Sequence, residues 1–327
     1  MSRSYLDYFP INSGSSSLAS RSDALASAFS KLAMTELPSI PLADRQSRFS
    51  LLLENRLHGL SFSPYQEGQS PGVEISEAQI RDRLSVIAPY CHWIRTFSCT
   101  EGNQHTPRIA HQLGLKVMVG VGLGEDRDRN AQEMANGLQL ATAGDADILA
   151  VGNEVLLRGD LEESELLDYI ARAKDAVPGV PVAYVDAYFL FEEHPRLVEA
   201  CDVVLINCYP FWEHCPIDYA VAYMKEMYRR AVAVANGKKV IISETGWPTQ
   251  GDAFGDSVPG YENSLNYFLE AASWADENGV EMFYFSSFDE SWKVGDEGDV
   301  GAYWGLWDED GNLKFGREVD GGDESAE

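Results

Sequence analysis

Eight short apolar runs alternate with seven longer amphipathic or polar stretches between residues 57 and 285, and this rhythm limits the fold more than any other feature. The runs are Leu57 to Ser63, His92 to Phe97, Leu115 to Val121, Ile148 to Val151, Val180 to Val185, Val203 to Ile206, Lys239 to Ile242 and Val280 to Phe285. Helical text lies between them, as in Ser76 to Ala88, where Ile80, Leu84 and Ile87 share one face. Further helices are expected through His111 and over Asp128–Ala141, Glu162–Val177, Pro195–Glu199, Asp218–Ala235 and Glu262–Glu277. Several of the runs are nearly continuous in apolar residues, as strands of a parallel sheet covered on both faces require. Eight strand–helix units within the roughly 250 residues of a typical barrel predict an α/β fold, a single (β/α)₈ TIM barrel. An open doubly wound sheet is the rival. Its phosphate loop is missing, because Gly120, Gly122 and Gly124 follow the third strand and run into Glu125 and Asp126, which repel a pyrophosphate.

This division gives a polar N-terminal extension over residues 1–50, partly ordered at most, a catalytic domain over 51–316, and an acidic disordered tail over 317–327. The first fifty residues hold Ser-rich text around Ser13 to Ser17 and no apolar stretch after Arg3. Neither a secretory signal nor a membrane span is expected, which places the chain in the cytoplasm. Lys and Arg number 25 against 52 Asp and Glu, a formal net charge of -27. Such a surface repels nucleic acid and anionic lipid but not a neutral polymer, and it suits a soluble monomer. The five cysteines, Cys91, Cys99, Cys201, Cys208 and Cys215, form no CxxC pair, so they read as reduced core thiols and not as a zinc or redox motif.

In a barrel the active face is built from the C-terminal ends of the strands and the loops after them. Polar and aromatic side chains collect there: Gly152-Asn153-Glu154 after the fourth strand, Asn207-Cys208-Tyr209-Pro210-Phe211-Trp212 after the sixth, Ser243-Glu244-Thr245-Gly246-Trp247-Pro248 after the seventh, and Asp289-Glu290-Ser291-Trp292-Lys293 after the eighth. Cleavage of a glycosidic bond needs two carboxyl groups, one to protonate the leaving oxygen and one at the anomeric carbon. Glu154 and Glu244 end strands three apart and face one another across the mouth; a separation of about 5–5.5 Å gives retention through a covalent intermediate. Either glutamate alone reads as a solvated strand end; the pair in this aromatic setting does not.

Asn153 is expected to hold a substrate hydroxyl, and Tyr209 and Arg95 to support Glu244 as an anion. Phe211, Trp212, Trp247 and Trp292 offer flat faces to sugar rings, against core packing as the alternative, and Glu290 with Lys293 forms an orienting ion pair. No cofactor or metal is expected. The six histidines, at 58, 92, 105, 111, 194 and 214, give no ligand pair at a strand end, and only Lys293 suits a Schiff base, so metal-dependent lyase and aldolase chemistry rank low. The acidic rim of Asp252, Asp256, Asp296, Glu297 and Asp299, with glycines at 251, 255 and 298, reads as a cleft edge, with a structural calcium site as second choice.

At these motifs the sequence resembles glycoside hydrolase family 17, through VGNEV at 151–155, ISETGWPTQG at 242–251, NCYPFW at 207–212, FDESWK at 288–293 and Gly305-Leu306-Trp307. The likeness covers residues 57 to 315 and leans, in the text between motifs, to the bacterial branch. It implies a (β/α)₈ barrel with Glu154 as acid/base and Glu244 as nucleophile, acting on neutral β-1,3-glucan. Hydrolysis and transfer to a sugar acceptor both follow from that pair; a barrel that binds glucan without turnover is the third reading.

Overall fold

The computed structural model describes residues 39–295 and 297–316, with Phe29, Leu32 and Met34 singly. The expected tail at 317–327 and most of the N-terminal extension lie outside the described residues.

Eight parallel strands close into a barrel in chain order. They are β1 (Leu57–Ser61), β2 (Cys91–Arg95), β3 (Lys116–Val121), β4 (Ile148–Asn153), β5 (Val182–Ala187), β6 (Val204–Asn207), β7 (Val240–Thr245) and β8 (Met282–Tyr284), and β1 pairs with β8 to complete the ring. The single TIM barrel read from the sequence is the fold observed. The helices are α1 (Leu42–Glu54), α2 (Glu77–Ile87), α3 (Thr106–Gln112), α4 (Arg127–Ala143), α5 (Val155–Arg158), α6 (Glu163–Ala176), α7 (Leu190–Glu193), α8 (Pro195–Ala200), α9 (Ile217–Val234) and α10 (Tyr261–Asn278). Each main expected helix is present within about two residues, since Ser76 and Asp126 cap α2 and α4 by accepting backbone N–H bonds and Gly144 ends α4 in the left-handed region.

Alternation along the strands divides the core in two. Met118, Ile148, Ala150, Ala183, Val185, Leu205, Ile241 and Phe283 fill the barrel interior. The intervening residues, such as Leu149, Tyr184, Ile206 and Ile242, pack outward under the helices. All five cysteines are buried free thiols. Three helices had no counterpart in the strand–helix rhythm: the short α5 and α7, and the longer α1. The 51 boundary falls inside α1, where Phe49 packs on Phe268 and Phe315, and Arg45 donates to Asn266 and Glu262 of α10. Arg45, Phe49 and Leu53 are the buried positions of α1, and Leu52 packs beside them.

The strand pairing slips at three places: β4 has an extra residue between Ala150 and Asn153 against β5, and β7 has one against β6, where Ile206 and Asn207 face Ile242 and Glu244, and one against β8 between Ile242 and Thr245. Each slip sits at the C-terminal end of a strand carrying a candidate site residue. An extra residue in one strand re-aims the side chains after it, which is how a regular barrel turns Asn153 and Glu244 toward its mouth.

Candidate active site

Glu244 lies within β7 and is 5% exposed. The Arg95 guanidinium donates to one carboxylate oxygen, and the Tyr209 hydroxyl donates to the other at 2.5 Å. A cation and a phenol on the two oxygens suit an anion kept in a dry place. Arg95 also donates to Asn153 Oδ1 at 2.8 Å, linking β2, β4 and β7. Glu154 stands one residue beyond β4, in the left-handed region at φ 52, and accepts from Asn207 Nδ2 at 2.8 Å. Asn207 reaches Asn153 Oδ1 at 3.3 Å and accepts from Ser243 Oγ at 2.8 Å. Amides and hydroxyls thus tie the two glutamates into one network, with the charged donor on the Glu244 side.

Both glutamates line a cleft of about 750 Å³ with Tyr209, Trp212, Phe254, Phe285, Glu297 and Trp304. Trp212, Phe254 and Trp304 form an aromatic wall, Trp212 meeting the other two at ring distances of 5.3 and 5.6 Å. A second cavity of about 420 Å³ holds Tyr65, Phe97, Glu290, Trp292 and Lys293, and Arg158 lines both. Glu290 and Lys293 pair at 2.8 Å, and Trp292 Nε1 donates to Glu290 at 3.1 Å. Burial pulls the Lys293 ammonium down, but the charges of Glu290, Glu297 and Glu244 outweigh it and leave the group above its ordinary value. Burial pushes the Glu297 carboxyl up to about 7, Lys293 resists, and Glu290, Glu244 and Glu154 add to the rise.

Two expected sugar platforms are core residues instead. Trp247 is 0% exposed, packs on Phe211 and Tyr267, and donates its indole N–H to the Val258 carbonyl; Phe211 is equally buried. Their motif serves close packing: a Cβ on Gly246 stands 2.0 Å from the Phe285 carbonyl oxygen, so only glycine lets the loop after β7 pass there. Arg95 is buried beneath Glu244 and bears on substrate through Glu244 and Asn153. Asn207 and Trp304 are site residues given no role from the sequence, although Asn207 could have been: an amide ending a fully buried strand needs partners. Glu297, read as part of the cleft edge, does line the cleft. Among the described residues no three His, Cys, Asp or Glu side chains are grouped to hold a metal ion; the Asp299 carboxylate accepts the Asp252 N–H at 3.0 Å. Asp296 lies outside the described residues.

The model of the BtgE/BtgC glycoside hydrolase domain matches residues 59–305. The chain belongs to this glycoside hydrolase family. Among its relatives are the glucan 1,3-beta-glucosidase of Candida albicans, 29% identical in an alignment covering 71% of this chain and 83% of the relative, and that of Saccharomyces cerevisiae, 26% identical over 75% and 86%. The glycoside hydrolase family 17 beta-1,3-glucanosyltransferase of Rhizomucor miehei superposes with a TM-score of 0.71 at 30% identity, covering 80% of this chain and 96% of that one. An active-site mutant of the same transferase, solved with laminaritriose, gives 0.71 at 29%. These are fungal proteins, so the bacterial leaning of the text between motifs does not set the chain apart from them. The two glutamates, the amide bridge and the aromatic cleft are what the glycoside hydrolase fold presents here.

Proposed function

We propose that the protein cleaves β-1,3-linked glucan with retention of configuration, by a covalent glucosyl–enzyme on Glu244. The observation that carries this reading is the unequal treatment of two carboxyls on one barrel face: Glu244 held by a cation and a phenol, Glu154 by a neutral amide. Glu244 attacks the anomeric carbon while Glu154 gives its proton to the departing sugar oxygen. Glu154 then takes a proton from the incoming water as the Glu244–carbon bond breaks. The similarity to glucan 1,3-beta-glucosidases and to a beta-1,3-glucanosyltransferase supports β-1,3-glucan as substrate.

Transfer to a sugar acceptor is the second reading, because the cleft continues past Arg158 into a further cavity with its own tryptophan, room on both sides of the scissile bond. A neutral oligosaccharide partner, a monomeric state and a cytoplasmic location complete the proposal; sedimentation and cell fractionation test the last two. In the described residues no helix is long and apolar enough to cross a membrane.

The deciding experiment labels the intermediate. A 2-fluoro-laminaribiosyl donor is expected to add the mass of one fluorinated disaccharide unit to the peptide holding Glu244, and Glu244→Gln to abolish both labelling and laminarin cleavage, a loss of about 10⁴-fold or more. Labelling elsewhere, or cleavage that survives, overturns the assignment. Products longer than the donor in an oligosaccharide digest identify transfer; shorter products alone identify hydrolysis.

A further inference from the structure

Glu154 occupies the N-cap position of α5, yet its side chain makes no capping bond there and turns to Asn207 instead. A helix start leaves backbone N–H groups without intrahelical partners, and an N-cap side chain usually takes one of them. Here the acceptors come from the next strand. The Tyr184 hydroxyl accepts the Leu156 N–H at 3.1 Å and donates to the Asp186 carboxyl, which also accepts the Ala187 N–H at 2.7 Å. The Leu157 N–H acts on the same carboxyl. Tyr184 and Asp186 are both 0% exposed, on the outward face of β5 under α5. The Glu154 N–H itself donates to the Val185 carbonyl at 2.8 Å, between the two.

We propose that Tyr184 and Asp186 form a cap supplied by β5 that fixes the turn bearing Glu154 and so sets the position of its carboxyl. The usual capping residue is thereby released for chemistry. A non-glycine residue in the left-handed region persists only where its surroundings over-determine it, and these bonds do so. Burial, followed by the charge of Glu154, pushes Asp186 up to about 8, so the cap adds no second anion beside Glu154 at neutral pH. Asp186 and Tyr184 are positioning residues, and the proposal rests on Glu154 being the acid/base.

The test compares leaving groups. A sugar leaving group needs a well-placed acid, whereas dinitrophenolate departs unaided, and kcat/KM reports the glycosylation step for both. Asp186→Ala is expected to lower kcat/KM for laminari-oligosaccharide about 10²-fold and for dinitrophenyl laminaribioside less than about threefold. Tyr184→Phe, which removes one hydroxyl, is expected to lose about tenfold on the oligosaccharide with the same sparing of the aryl substrate. Asp186→Asn, whose amide oxygen still accepts, recovers part of the loss. Equal losses on the two substrates, or no loss on either, overturn the proposal, and Tyr184→Phe decides alone if Asp186→Ala does not fold. Glu154→Gln serves as the reference: if it too loses equally on both substrates, the acid/base reading fails and not the cap.

Discussion

The strand ends that carry Glu244 and Glu154 begin from similar text, an apolar run closing on a glutamate, and finish in different surroundings. At β7 the glutamate stays inside the strand, almost wholly buried, and its two oxygens meet the Arg95 guanidinium and the Tyr209 hydroxyl. At β4 the glutamate steps past the strand into a left-handed turn, half-buried, beside the Asn207 amide. One arrangement holds a carboxylate between a cation and a phenol; the other holds a carboxyl by a neutral amide at the cleft. The division of labour between two identical side chains is therefore made by their neighbours.

The largest expected effect comes from removing the cation from the β7 side. Arg95→Met is expected to lower kcat about 10²–10³-fold with a smaller change in KM, because the lost interaction bears on the reacting carboxylate. It is also expected to cost about 3–5 kcal/mol of stability, since Glu244 is left as a buried charge without its counterion. Kinetics together with thermal melts check both, and a kcat within tenfold of the native value breaks the contrast between the two ends.

A smaller loss is expected on the β4 side. Asn207→Ala removes a neutral donor from Glu154, and kcat is expected to fall roughly 10- to 10²-fold, the worth of one hydrogen bond to a charged group. Steady-state rates decide whether the ordering holds. A loss as large as that of Arg95→Met makes the two ends one indivisible network, since Asn207 also reaches Asn153 and Ser243.

The same contrast explains how much could be read without coordinates. Strand and helix order, the barrel, and the placing of Glu154, Glu244, Asn153, Tyr209 and Arg95 at one mouth all follow from local patterns that the fold repeats eight times. The aromatic residues did not read as well. Trp212 lines the cleft while Trp247 and Phe211 are core, and nothing within the motifs separates them. Their fates depend on where the segments around Phe254 and Trp304 fold back, a contact across some 40 to 90 residues. Asp186 and α1 were passed over for related reasons: one is a lone acid in an apolar strand, and the other precedes the first strand, outside the repeating rhythm, and docks through three buried side chains.

The smallest expected effect concerns a third buried glutamate, and it separates burial from chemistry. Glu213 follows Trp212 and is 0% exposed, as dry as Glu244, but its partners are neutral phenols. Tyr223 donates to it at 2.5 Å and Tyr188 at 3.4 Å, while its other oxygen has no partner. Burial pushes this carboxyl up to about 8 against the hydrogen bonds of the two tyrosines and the charge of Arg230. The folded chain thus keeps a proton that the unfolded chain gives up near its ordinary value of about 4.3. Between those two values the native state binds more protons than the unfolded state, so stability falls as pH rises. Glu213→Gln removes this contribution. Its Tm is expected to fall less than the native Tm between pH 5 and pH 8, with activity within about twofold at neutral pH. Parallel melting curves for the two proteins contradict the raised value. A steeper fall in the variant reverses the sign, and either result means that burial without a cation does not hold a carboxyl neutral here, which leaves Arg95 unnecessary as the reason why Glu244 can serve as an anion.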